Sequence, residues 1–345
     1  MAYTSIDDPS AYFQTLLYTG NSSSPRDLVN DGNSDLQPDF VWIKGRSHAD
    51  LHLLYDSSRG GGKFIRTEST AAENTGGYGL TAFNSDGFRT NAYAYSNENT
   101  HTYAAWQWKA NGGTTATNSD GSTDTTVQAN TDAGFSIVTF TTDGGNETYG
   151  HGLGVKPDIV IVKSRSGGGS WIYMTDVIDG SVDYLLLNGT NAAADLSYGA
   201  FTSSTFQYND NNAVTQIAYC FAEKQGYSKF GKYVGNGSSN GTFVYTGFAP
   251  AWVMIKDTSQ ATNWEIFDVK RNPSNVRNLK LGANLAVAEN GSDLGTTSQN
   301  NIDILSNGFK MRTGNTDTNV SGDTFIFMAF AENPFTTSTG VPCTA

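Results

Sequence analysis

PDFVWIK, residues 38–44, decides how the chain is read. Phe40 and Trp42 fall on one side of a strand and Val41 and Ile43 on the other, so this segment is apolar on both faces. A strand on the skin of an antiparallel sandwich alternates apolar and polar residues, whereas a strand covered on both sides is a continuous apolar run. Two later stretches, KPDIVIVK and APAWVMIK, repeat the pattern. Pro38, Pro157 and Pro250 each open such a strand, and Lys44, Lys163 and Lys256 follow six residues later.

Other landmarks recur in the same order. Turns at 18–24 (YTGNSSS), 141–147 (TTDGGNE) and 233–239 (YVGNGSS) precede the strands. LHLLYD (51–56), WIYMTD (171–176) and WEIFD (264–268) follow and end in Asp. TAAE (70–73), AAAD (192–195) and AVAE (286–289) end in an acid, and their composition predicts a helical turn. FNSDGF (83–88), FTSSTF (201–206) and LSNGF (305–309) end in Phe. YAAWQWKA (103–110), IAYCFAE (217–223) and FIFMAFAE (325–332) close each series.

Repetition at this spacing predicts three tandem units, at 11–110, 134–226 and 227–335. An N-terminal arm (1–10), a Gly/Thr/Asn/Asp-rich linker or long loop (111–133) and a C-terminal tail (336–345) complete the chain. Within each unit, short Val/Ile/Tyr/Phe/Thr runs are punctuated by Gly and Asn. This predicts an all-β fold of three pseudo-repeated antiparallel β-sandwich or jelly-roll units. The double-sided strands predict that the units are pressed together. One strand face would line its own sandwich core and the other would meet a neighbour.

The bulk numbers narrow the function. A chain of 345 residues is long for one core of short strands. The net charge is −12 with no basic stripe, which argues against nucleic acid. No apolar run reaches the length of a membrane helix. The acidic start lacks a basic leader region, so folding in a cytoplasm is expected. Cys220 lies in an apolar run and Cys343 in the tail, which is neither a disulfide framework nor a metal pair.

Catalytic signatures are missing. His48, His52, His101 and His151 do not pair at metal-ligand intervals, no serine sits in a nucleophile elbow, and SRGGGK at 58–63 lacks P-loop spacing. No carboxylate pair stands out for glycoside hydrolysis, so the expectation is not an enzyme. Two turns have the alternating oxygens calcium takes: Asp31, Asn33 and Asp35, and Asp120, Ser122 and Asp124. Asn209 to Asn212 form a third polar loop. Ordinary Asx turns explain the same pattern, so calcium is the one candidate cofactor rather than an expected one. Trp171 and Trp264 begin a strand after a variable loop, where the first unit has His52. These three are the candidate exposed rings for binding carbohydrate.

Taken together, YTGN (18–21), PDFVWIK (38–44), DSSRG (56–60), the SDGF turn within 83–88, WQWKA (106–110), HGLG to IVK (151–163), 219–237, FVYTGFAPAWVMIK (243–256) and 328–335 form an ordered series. That series resembles a family of virion proteins of marine bacteriophages, over nearly the whole chain. The resemblance implies concanavalin A-like, lectin-type sandwiches and a tail or structural role, and it carries over no catalytic residue. The function it implies is a non-enzymatic virion structural protein, foremost a tail-fibre component adhering to host-cell glycan. The alternative is a capsid decoration, cement or fibre-shaft protein with purely protein–protein contacts. Expected partners are other virion proteins, further copies of the chain as a trimer, and host-surface glycan. Its place would be the virion, assembled in the host cytoplasm, with the tail from 336 packed on a neighbour. One departure is internal: the second unit has DVIDG (176–180) where the first has DSSRG. An acid paired with Arg59 in the first unit would lack that partner in the second.

Overall fold

The computed structural model describes residues 3–197, 199–210, 212–294, 299–314 and 317–343. Nearly all regular structure is antiparallel strand. Among the described residues, helix is confined to Pro9–Ala11, Ala94–Asn97 and Ser292–Leu294.

The same sheet is built three times. In the first unit the order is Phe13–Thr19, Thr102–Trp108, Phe40–Gly45, His52–Asp56. In the second, Phe135–Thr141, Thr215–Phe221, Ile159–Ser164 and Ile172–Thr175 follow that order inside an eight-stranded sheet. In the third it is Ser228–Val234, Thr324–Pro334, Phe248–Asp257, Glu265–Asp268. Each unit's last long strand therefore lies between its first and its double-sided one.

A smaller sheet covers one face of each large sheet. It contains Arg26–Leu28, Leu80–Phe83 and Phe88–Thr90 in the first unit, and Glu147–Gly150 with Thr205–Tyr208 in the second. In the third it contains Phe243–Tyr245, Ile302–Leu305 and Gly308–Met311. In the first and third units the repeated F-terminated landmark is the hairpin turn of this layer: Phe83 pairs with Phe88 and Leu305 with Gly308. In the second, Phe201 bridges Phe206.

The double-sided strands have two destinations. Val41 and Ile43 enter a core private to the first unit, as Val160 and Val162 do in the second and Val253 and Ile255 in the third. The alternate residues Phe40, Trp42, Ile159, Ile161, Trp252 and Met254 all join one cluster shared by the three units. The shared cluster is aromatic: Phe40 meets Tyr219 at 4.4 Å, and Trp108 meets Trp252 at 5.8 Å and Phe330 at 5.5 Å between ring centres. At its centre lies a wholly apolar cavity of about 20 Å³, lined from all three units by residues including Phe40, Trp171, Tyr219 and Trp252. A gap near the size of one water and without polar lining stays dry.

Two expectations are corrected, and the tail makes a contact within this chain. The stretch 111–133 is not simply a linker: Ala116–Asn118 and Thr125–Asn130 are strands that extend the second unit's sheet, with Phe135 paired to Asn130. The TAAE-like segments are not helical turns. They are extended and dock on the next unit, with Glu73 N–H donating to Arg165 O, Ala193 N–H to Thr258 O and Glu289 N–H to Arg46 O. A tertiary hydrogen bond outweighs the mild helical preference of Ala and Glu here. The tail folds against this chain's own N-terminal arm: Ser338 donates its backbone N–H and its hydroxyl to Asp7. The arm in turn buries Ile6 in the shared core and donates Thr4 Oγ1 to Gln225 O at 2.8 Å.

Candidate functional site

The residues singled out from the repeat converge on the seams between units, and the seams run in one rotational sense. Trp171 of the second unit donates its indole N–H to Arg66 O of the first, at 2.7 Å. Trp264 of the third donates to Leu186 O of the second, at 3.0 Å. His52 of the first closes the ring onto the third: Trp42 Nε1–H donates to His52 Nδ1, so Nε2 carries the proton and faces Gly282 O and Leu285 O, at 2.9 and 3.0 Å. All three rings are buried, at 0%, 0% and 1% exposure for His52, Trp171 and Trp264. The expected role as exposed carbohydrate platforms is thus corrected. These rings hold units together, and no face is left for a sugar. Burial, and next to it the Lys44 charge, holds His52 well below the usual histidine range, so it is neutral.

The three landmark lysines sit at one end of the shared face. Lys44, Lys163 and Lys256 are completely buried, and each donates Nζ to the carbonyl of the following residue. Burial lowers each to about 8. Of their prolines, Pro38 and Pro157 precede the same strands, and Pro250 lies at a register shift near the start of its own.

Two seams carry a buried ionic relay. Arg59 spans Asp56 at 2.5 Å and Glu73 at 3.1 Å, and Arg165 of the second unit reaches the same Glu73 at 2.9 Å. Tyr219, from the second unit, donates its hydroxyl to Asp56 at 2.8 Å. The counterpart has Arg271 between Asp268 and Glu289, at 2.5 and 2.8 Å. From the first unit, Arg46 meets Glu289 at 3.0 Å and Trp106 donates to Asp268 at 3.0 Å. Every charge in these relays has an opposite partner, which is what burial of charge requires.

The second unit differs, as DVIDG implied. Asp176 takes the turn position of Asp56, one residue past Thr175, which matches Asp56 and Asp268 in strand pairing, and it pairs with the half-exposed Lys156. Asp179 stands where Arg59 and Arg271 stand, and Ala193 occupies the docking position of Glu73 and Glu289. Asp179 lies in a group of three with Asp183 and Asp195, whose carboxylate oxygens are all within 4.8 Å of one another. Asp183 and Asp195 face each other across paired strands, an arrangement that like charges disfavour. Asp183 is 3% exposed and its Oδ2 meets no hydrogen-bond partner. Burial, then Asp179, then Asp195 push it up to about 6. A groove of about 370 Å³ beside Asp195 is lined by Ile172, Met174, Tyr184, Leu196 and Tyr208.

The turns named as calcium candidates lie away from this group and make the contacts of Asx turns or of an ion pair. Lys270 reaches both oxygens of Asp31 at 3.1 Å. Among the described residues, Asp31 and Asp35 join no group of three carboxylates. Asp120 accepts the Asn118 side-chain amide at 2.9 Å, and among the described residues neither Asp120 nor Asp124 joins such a group. Of the third polar loop, Asn209 donates to Asn146, Asp210 accepts from Asn212, and Asn211 lies outside the described residues. Asp179, Asp183 and Asp195 were not candidates from the sequence, because only strand register brings 183 opposite 195.

These features define a class: an all-β protein of three sandwiches locked in a ring around a common aromatic core. The chain belongs to the family described as a domain of unknown function, DUF7483, whose model matches residues 8–334. No curated protein and no solved structure matches the chain.

Proposed function

We propose that the protein is a non-enzymatic building block of a bacteriophage particle, acting through protein–protein contacts. One observation carries the preference for a structural over a glycan-adhesive role: the rings offered for sugar contact, His52, Trp171 and Trp264, are spent on seams between units. A body closed on itself by three such seams suits a load-bearing part. The particle context rests on the resemblance of the ordered motifs to marine phage virion proteins.

A surface for partners fits this reading. The edge strand Phe243–Tyr245 leaves Phe243 44% and Tyr245 56% exposed, beside Val234. Tyr3 and Phe335 continue that strip, their ring centres 6.4 Å apart. An exposed edge with aromatic residues is suited to docking another protein. Other virion proteins, or further copies of the chain in a trimer, are the proposed occupants.

The test counts copies per particle and probes the purified protein on glycan arrays. Stoichiometry in the hundreds with no glycan binding is expected of a decoration or cement role. A handful of copies with binding to host-surface polysaccharide overturns that role in favour of the tail adhesin.

A further inference from the structure

We propose that Asp179, Asp183 and Asp195 form a binding site for a hard divalent cation, calcium foremost, on the second unit beside its seam with the third. Three carboxylates converge within 4.8 Å. They offer oxygen alone, which suits calcium or magnesium and not zinc or copper. Asp183 supplies the second, separate indication: this member of the group is buried, and its Oδ2 has no hydrogen-bond donor. A buried carboxylate oxygen without a donor is costly unless a cation or proton reaches it.

The sister units act as internal controls. The strand pairings that match Leu54 with Ile65, Tyr173 with Leu185 and Ile266 with Leu281 put Asp183 in register with Lys63 and Leu279. The docking hydrogen bonds put Asp195 in register with Thr75 and Gly291. Asp179 replaces Arg59 and Arg271. None of the three acids is required by the fold, since the same sheet forms twice without them. Where the first unit has Arg59 and Lys63, the second has two aspartates.

Charge balance points the same way. The buried relays of the first and third units are neutral, each pairing two arginines with two acids. In the second unit the trio Asp179, Asp183 and Asp195 has, among the described residues, Lys232 as the cation acting on Asp179. Lys232 spends its Nζ on Ile178 O. Two negative charges are left over, which one divalent ion balances. With Asp179 and Asp195 exposed, water completes the six to eight oxygens calcium takes.

The test is titration of the full chain, stripped with chelator, with calcium alone and then magnesium alone, followed by calorimetry and thermal unfolding. Calcium is expected to bind one to one and to raise Tm by about 4 °C at a hundredfold excess over Kd. Asp183→Asn is expected to weaken binding at least about tenfold, since even residues behind metal ligands cost that much. Asp179→Asn, at an exposed position, provides the same readout should the buried variant fail to fold. A single calcium that binds with unchanged affinity in both variants overturns the site. So does the absence of any calcium response together with a gain in stability on acidification through pH 6, which would mean that Asp183 and Asp195 share a proton instead. Neither result depends on the particle role, which copy number tests separately.

Discussion

The seam between the first and second units and the seam between the second and third share one geometry and differ in chemistry. Both place an indole N–H on a neighbour's carbonyl, from Trp171 and from Trp264, and both receive a backbone amide from the docking segment. The first adds a sealed relay of Asp56, Arg59, Glu73 and Arg165; the second has Asp176 with solvent-facing Lys156 and, among the described residues, no guanidinium paired with Asp176. The repeated hydrogen bonds and the shared apolar core are therefore enough to close the ring. The relay is an addition, dispensable in principle yet hazardous to break. Removing one member of a buried ionic group leaves the others charged and unpaired, whereas a seam that never had them incurs no such cost.

The largest effect is expected at the relays. Arg59→Ala should cost about 3–5 kcal/mol in urea-induced unfolding, and Arg271→Ala a similar amount. In calcium-free buffer, Asp179→Ala, at the matching turn position in the second unit, should change stability by less than about 0.5 kcal/mol. A loss at Asp179 equal to that at Arg59 would erase the distinction between the seams. Next comes the feature common to all seams. Trp264→Phe keeps most of the ring but strands Leu186 O, and should cost about 1–3 kcal/mol. Trp171→Phe should match it, and a neutral outcome at either would show that the indole bonds do not tie the units.

A further comparison is a pH dependence. Burial lowers Lys44, Lys163 and Lys256 to about 8, against 10.5 for an ordinary lysine. Between pH 8 and 10.5 the unfolded chain then holds more protons than the native one, so these lysines make stability rise with pH in that window. The tyrosines buried in the cores oppose this only above pH 10, because their raised values lie beyond it. Lys163→Met should shrink the rise measured between pH 8 and 10, and an unchanged slope would show that Lys163 stays protonated there.

Much of this arrangement was legible in the chain. PDFVWIK and its two copies announced strands covered on both faces, and the shared cluster is where the outer faces go. DVIDG marked the second unit as the one without the arginine. What escaped had physical causes. Trp171 and Trp264 have the polar handle and loop-edge position of a sugar platform, and only the neighbour's backbone reveals that their N–H groups are already satisfied. TAAE has helical composition, yet its amides are claimed by the next unit. Thr125–Asn130 lies in a stretch whose Gly, Thr and Asp content resembles a loop. Asp183 and Asp195 are twelve positions apart and meet only through strand register, so no motif could have joined them.

Hydrogen exchange under native conditions tests the ring most directly, read at the amides of Phe40–Gly45, Ile159–Ser164 and Phe248–Asp257. If the three units share one core, these strands exchange only through a common opening, with the same free energy and the same dependence on denaturant. Exchange of one strand at a much lower free energy, while the other two stay protected, would contradict a single interlocked body.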